Sequence, residues 1–128
     1  VSVPILKLGD VLITTIQSAL SDQDLMQLRD DFAESVGRFR SRGVVIDVTA
    51  LDVLDSFATR TLRGIAYVAK LRGASTVVVG IQPEVAFAMV QLGLDLDGVA
   101  TALDLDEGLD YLRNGNSPTA SRGQGHGG

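Results

Sequence analysis

The chain carries two nearly unbroken apolar runs, Val44-Val45-Ile46-Asp47-Val48 and Thr76-Val77-Val78-Val79-Gly80-Ile81, with one amphipathic segment between them. A strand with one face in water alternates apolar and polar residues. A continuous β-branched run is instead a strand covered on both faces, as in a parallel sheet. Parallel strands need a long crossover, usually a helix. The intervening segment supplies one: Ala58, Leu62, Ile65, Ala66 and Ala69 fall at i, i+4, i+7, i+8 and i+11, and Lys70, Arg72 and Gly73 mark its end. This unit commits the chain to an α/β fold.

The flanking sequence extends the pattern. Val3 to Leu8, with Pro4 favouring an edge, then Gly9-Asp10, then Val11 to Ile16, reads as an antiparallel hairpin. Ser21 opens a helix with Asp24 three residues on, and Leu25, Leu28, Phe32, Val36 and Phe39 form its apolar face; Gly43 is expected to end the unit. Pro83 starts a third helix, with Val85, Ala86, Met89, Val90 and Leu92 as apolar positions and Gly93 as its stop. Val99 to Ala102 is a short strand. Asp104 or Asp106 caps a last helix bearing Leu105, Leu109 and Leu112. The expected order is β-β-α-β-α-β-α-β-α, a single mostly parallel central sheet with an N-terminal antiparallel hairpin and amphipathic helices packed against it. Residues 1–113 form the domain. Residues 114–128, in which only Ala120 is apolar, are expected to be a flexible Gly/Ser-rich tail.

Composition narrows the chemistry. A chain of 128 residues, 45% hydrophobic, can bury one core. Its net charge of -5 argues against nucleic acid and against anionic membrane as partners. It has no cysteine, and its one histidine, His126, lies in the tail, so thiolate, His-based and Cys-ligated metal chemistry find no residues in the domain. No apolar run approaches the roughly 20 residues of a membrane span, and the opening residues show no signal-peptide pattern. No Gly-x-x-x-x-Gly-Lys or Gly-x-Gly-x-x-Gly motif occurs. We therefore expect no enzyme, no cofactor and no metal, and a cytoplasmic location.

The segment Asp47-Val48-Thr49-Ala50-Leu51-Asp52-Val53-Leu54-Asp55-Ser56-Phe57 leaves the first apolar run, crosses an acidic loop and enters the amphipathic helix. Spacing alone makes Ser56, with Asp55, a helix cap. The same position leaves a serine hydroxyl accessible to a modifying enzyme. Asp55 either positions that hydroxyl and a partner or only caps. Thr59, one turn on, is an exposed helix residue and a candidate second acceptor. Arg60 and Arg63 lie on that helix and can face acidic groups of a partner. Asp47 ends a strand as a receiver-type phosphoaspartate would. The acidic pair and lysine of such a magnesium site are missing, so its reading is structural.

Val44 to Thr49 followed by Leu54-Asp55-Ser56-Phe57 resembles the core signature of STAS domains, the anti-sigma-factor antagonist family. Ile5-Leu6-Lys7-Leu8, Gly80-Ile81-Gln82-Pro83-Glu84-Val85-Ala86 and Thr101 to Leu109 resemble the RsbS-like stressosome branch, over residues 3 to 113 in all. That resemblance implies a STAS fold and a large oligomer made with RsbR-like paralogues and with itself. It implies an RsbT-like serine/threonine kinase held until Ser56 is phosphorylated, and an RsbX-like phosphatase that resets the switch. Asp55, Ser56, Thr59 and Arg60 then become the expected partner-binding positions. The alternative is a stand-alone anti-sigma-factor antagonist regulated by an anti-sigma kinase at the same serine. A small-molecule-binding STAS module is a further reading, which needs a pocket with convergent polar groups.

Overall fold

The computed structural model describes residues 3–114, and the rest of the expected tail lies outside the described residues. Its elements are β1 (Leu6–Leu8), β2 (Val11–Thr15), α1 (Asp22–Phe39), β3 (Gly43–Asp47), α2 (Ser56–Leu71), β4 (Ser75–Val79), α3 (Pro83–Gln91), β5 (Ala100–Ala102) and α4 (Leu105–Asn114). The strands stand side by side in chain order. β1 pairs antiparallel with β2, and every later pair is parallel.

This order dictates the layers. A parallel connection is right-handed, so crossovers that always step in the same direction place their helices on the same face. Leu28, Phe32 and Val36 of α1, Leu62, Ile65 and Ala69 of α2, and Val85 and Met89 of α3 accordingly share one core with Leu12, Val44, Ile46 and Val78. The chain returns across the other face only once, as α4, where Leu109 packs on Val11, Val45, Val77 and Val79. The strand residues alternate between these two cores, so both apolar runs are buried on both sides.

Close packing of α4 depends on absent side chains. A Cβ on Gly108 would come within 2.7 Å of a Val79 methyl, and one on Gly43 within 2.9 Å of Leu112. Gly43 is thus the buried first residue of β3, not the end of the preceding helix. That helix stops at Arg40, which adopts φ 51° and donates to Gly37 O, while Ser41 N donates to Val36 O. Its start matches expectation: Ser21 accepts from Asp24 N at 3.0 Å.

Four other expectations change. Phe39 is 40% exposed, with the Arg38 guanidinium 5.3 Å from its ring centroid, because the helix end overshoots the sheet. Only Val85 and Met89 of α3 are buried, while Val90 and Leu92 face solvent, because a nine-residue helix over the sheet margin buries a single i, i+4 stripe. β1 shrinks to three residues. Asn114 belongs to α4, where it hydrogen-bonds Asp110.

Candidate functional site

The site grows from the C-terminal ends of β3 and β4. Beyond Asp47, Val48 N donates to Val79 O at 3.0 Å, which ties the two strand ends together. The Asp47 carboxylate then turns the chain by accepting from Thr49 N at 2.9 Å and from Thr49 Oγ1 at 2.6 Å. This local Asx-type closure is the structural role expected for Asp47. Gly80, at φ +82°, passes so close to Thr49 that an added Cβ would sit 1.9 Å from its Oγ1. Two residues on, Gln82 Nε2 donates to Thr49 O at 2.9 Å. The start of α3 thereby braces the loop that leads to α2. The Gly-Ile-Gln-Pro run announced a turn into a helix, but nothing in it identified Thr49 as the partner.

The loop is also pinned from below. Leu51 and Leu54 are buried in the main core, whereas Asp52, Val53, Asp55 and Ser56 are exposed. A small apolar cleft of about 40 Å³, lined by Leu20, Leu51, Val53, Leu54 and Ala58 among others, adjoins Asp55.

At the helix start the structure divides the expected roles. Asp55, not Ser56, is the N-cap: its backbone is extended at φ -79°, ψ -178°, and its Oδ1 accepts from Ala58 N at 2.8 Å. Ser56 is the first helical residue. It is exposed, and among the described residues its hydroxyl has no hydrogen-bond partner. It projects where the first backbone N–H groups of α2 lack intrahelical acceptors, a place that favours negative charge.

Thr59 is a correction. It is 2% exposed, and its hydroxyl donates to Asp55 O at 2.8 Å, as does its backbone N–H at 2.9 Å. It is a buried brace for the cap and offers no surface to a kinase or partner. The signal was present in the sequence: Thr59 falls in step with Leu62, Ala66 and Ala69, on the apolar face. Arg60, by contrast, is exposed and one helical turn from Ser56. Ser56, Arg60 and Arg63 follow at i, i+4 and i+7 on one face. Among the described residues no three His, Cys, Asp or Glu side chains are grouped to hold a metal ion, and no helix is long and apolar enough to cross a membrane.

Comparison with known proteins gives this geometry a context. The STAS domain model matches residues 2–108. A serine-to-glutamate variant of Moorella thermoacetica RsbS superposes with a TM-score of 0.75 at 42% identity, over 88% of this chain and 95% of that one. A chain from a structure described as the molecular architecture of the stressosome, a signal integration and transduction hub, gives 0.73 at 43% identity, over 87% and 96%. Among curated proteins, the RsbT co-antagonist protein RsbRA of Bacillus subtilis (strain 168) is 26% identical over 100 residues, 78% of this chain. The chain spans only 36% of RsbRA's own length.

Proposed function

The chain belongs to the STAS-domain family, as an RsbS-like anti-sigma-factor antagonist, and we propose that it is a non-catalytic scaffold whose switch is Ser56. In the unmodified state it holds an RsbT-like serine/threonine kinase. Phosphorylation of Ser56 releases the kinase, and an RsbX-like phosphatase resets the site. The scaffold is a large cytoplasmic oligomer of this chain with RsbR-like STAS paralogues.

One observation carries this reading: Ser56 presents an exposed hydroxyl, unpartnered among the described residues, at the start of α2, where the preceding loop is fixed by Leu51, Leu54 and the Gln82–Thr49 bond. A kinase needs such a hydroxyl, accessible and held in one place. A phosphoserine adds about -1.5 to -2 charges at neutral pH. The helix N-terminus favours that charge, and Asp52 and Asp55 oppose it, so the fold stays intact. The consequence falls on the partner. New charge and bulk at a docked surface weaken the interface through repulsion and phosphate desolvation, by several kcal/mol at most, roughly as for a buried unpaired charge. Asp55 and Arg60 complete the surface, Asp55 by fixing the helix start and Arg60 by meeting an acidic group of the kinase.

Intact mass and peptide mapping after incubation with the RsbT-like kinase and ATP test the proposal. One phosphate at Ser56, missing in Ser56→Ala, is the expected result. No phosphate, or phosphate elsewhere only, would reduce Ser56 to an ordinary first-turn residue. The stand-alone antagonist ranks second, because the RsbS and stressosome chains share 42% and 43% identity with this one. A monomer that binds no RsbR-like paralogue would favour it.

A further inference from the structure

We propose that the far end of α2 forms a second site, which binds a small planar organic anion. A cleft of about 500 Å³ runs between the outer face of α2 and the 97–99 segment. A smaller one of about 180 Å³ adjoins it at the start of β4, and the two share Ala66, Lys70 and Gly98. The sheet topology explains the gap. β4 begins at Ser75, but β5 pairs with it only from Val77 onward, so Ser75 and Thr76 have no strand beside them on that side. None of residues 47–56 lines either cleft, and Arg60 alone, at the near margin of the larger one, also belongs to the surface proposed for the kinase.

Two features define the ligand. The first is charge. In a chain of net charge -5, α2 has no acidic residue between Ser56 and Leu71, and Arg60, Arg63 and Lys70 all line the larger cleft. Arg63 lies 3.9 Å from the Asp95 carboxylate, and Asp97 stands on the rim. These two acids leave a modest positive excess, which suits a mono- or dianion and disfavours a polyanion. The second is the rings. The chain has two tyrosines, and both line this composite cleft: Tyr67, 64% exposed, in the larger part and Tyr111 in the smaller. An exposed ring offers a face on which a flat group can stack. A cleft of this size falls in the usual range for small-molecule sites.

The ligand's acid group sits at Arg63 and Lys70 and its ring on Tyr67. Phenyl phosphate is the minimal probe; inorganic phosphate and phenol are its two halves. Backbone amide shifts of the full chain would be followed by NMR during titration with each. Phenyl phosphate should saturate shifts at Tyr67, Lys70, Thr76 and Gly98 with a Kd on the order of 1 mM, and each half should bind about tenfold more weakly. Lys70→Gln and Tyr67→Ala should each weaken phenyl phosphate about fivefold or more while leaving the melting temperature within a few degrees, since both side chains are exposed. Three results would overturn the site: no saturable shift up to about 10 mM, equal binding of inorganic phosphate alone, or unchanged affinity in Lys70→Gln.

Discussion

Removing the Asp55 carboxylate separates the two roles that the Asp55-Ser56 pair shares in sequence. The cap bond is a single contact, Asp55 Oδ1 to Ala58 N at 2.8 Å, at an exposed helix start. Its loss in Asp55→Ala should cost about 1 kcal/mol, the usual value for an N-cap. The cost stays near that figure because Thr59 bonds to the Asp55 carbonyl through both its hydroxyl and its backbone, and a substitution at the side chain leaves those bonds in place. Asp55→Asn keeps an acceptor in the same position and should lose less than half as much. Ser56→Ala removes a hydroxyl that has no partner among the described residues and should change stability by no more than about 0.5 kcal/mol. Urea unfolding measures all three. With a slope near 2 kcal/mol/M, Asp55→Ala should lower the midpoint by about 0.5 M, without a change in slope. If Ser56→Ala destabilised the chain as much as Asp55→Ala, the serine would be the cap and the division of roles described above would be wrong. Equal losses for Asp55→Asn and Asp55→Ala would point to charge in place of capping.

Gly80→Ala should destabilise by about 2 kcal/mol or more, since φ +82° is strained for any Cβ and the new atom meets Thr49 Oγ1; a wild-type urea midpoint would contradict this. Thr59→Val keeps the volume and loses the bond to Asp55 O, so about 1 kcal/mol should go while Ser56 remains a kinase substrate. Phosphate mapped to Thr59 in the folded wild type would refute its burial. Ser56→Glu should leave the far-ultraviolet circular dichroism unchanged and the melting temperature within a few degrees, because dipole attraction and repulsion from Asp52 and Asp55 offset each other. Loss of helix would show that the switch acts on the fold itself.

What the sequence discloses depends on how local the cause is. Val44 to Val48 and Thr76 to Val79 announce a parallel sheet because burial on both faces leaves no polar alternation. Ser21 and the Asp55-Ser56 pair mark helix starts through bonds that span three residues. Gly43 was misread because a glycine that stops a helix and one that admits Leu112 look alike in sequence; the difference lies in α4, far along the chain. Val90 and Leu92 were misread because the width of a helix's buried stripe is set by how much sheet lies beneath it. Thr59 is the instructive case. Its spacing to Leu62 and Ala66 was legible, but its hydroxyl suggested exposure. The carbonyl that satisfies that hydroxyl is only four residues away. The cleft at Thr76 had no local signal, since it arises where β5 fails to reach the start of β4.

The unbroken strand order also shapes the end of the sheet at which Ser56 stands. In doubly wound sheets a crevice opens at the strands' C-terminal ends where the order reverses, and ligands bind there. Here the order β1-β2-β3-β4-β5 never reverses. The same ends are instead closed by the bonds from Val48 to Val79, from Thr49 to Asp47 and from Gln82 to Thr49. A closed, braced end holds one hydroxyl in a fixed, exposed position. Rigidity has a function of its own in that arrangement. A serine on a floppy loop would lose ordering entropy whenever a kinase bound it, whereas Ser56, set between the buried Leu54 and the buried Thr59, is already ordered. The smaller cleft, beside Ala66 and Lys70 near the C-terminal end of α2, follows from the same topology, because the mismatch between β4 and β5 falls at their N-terminal ends.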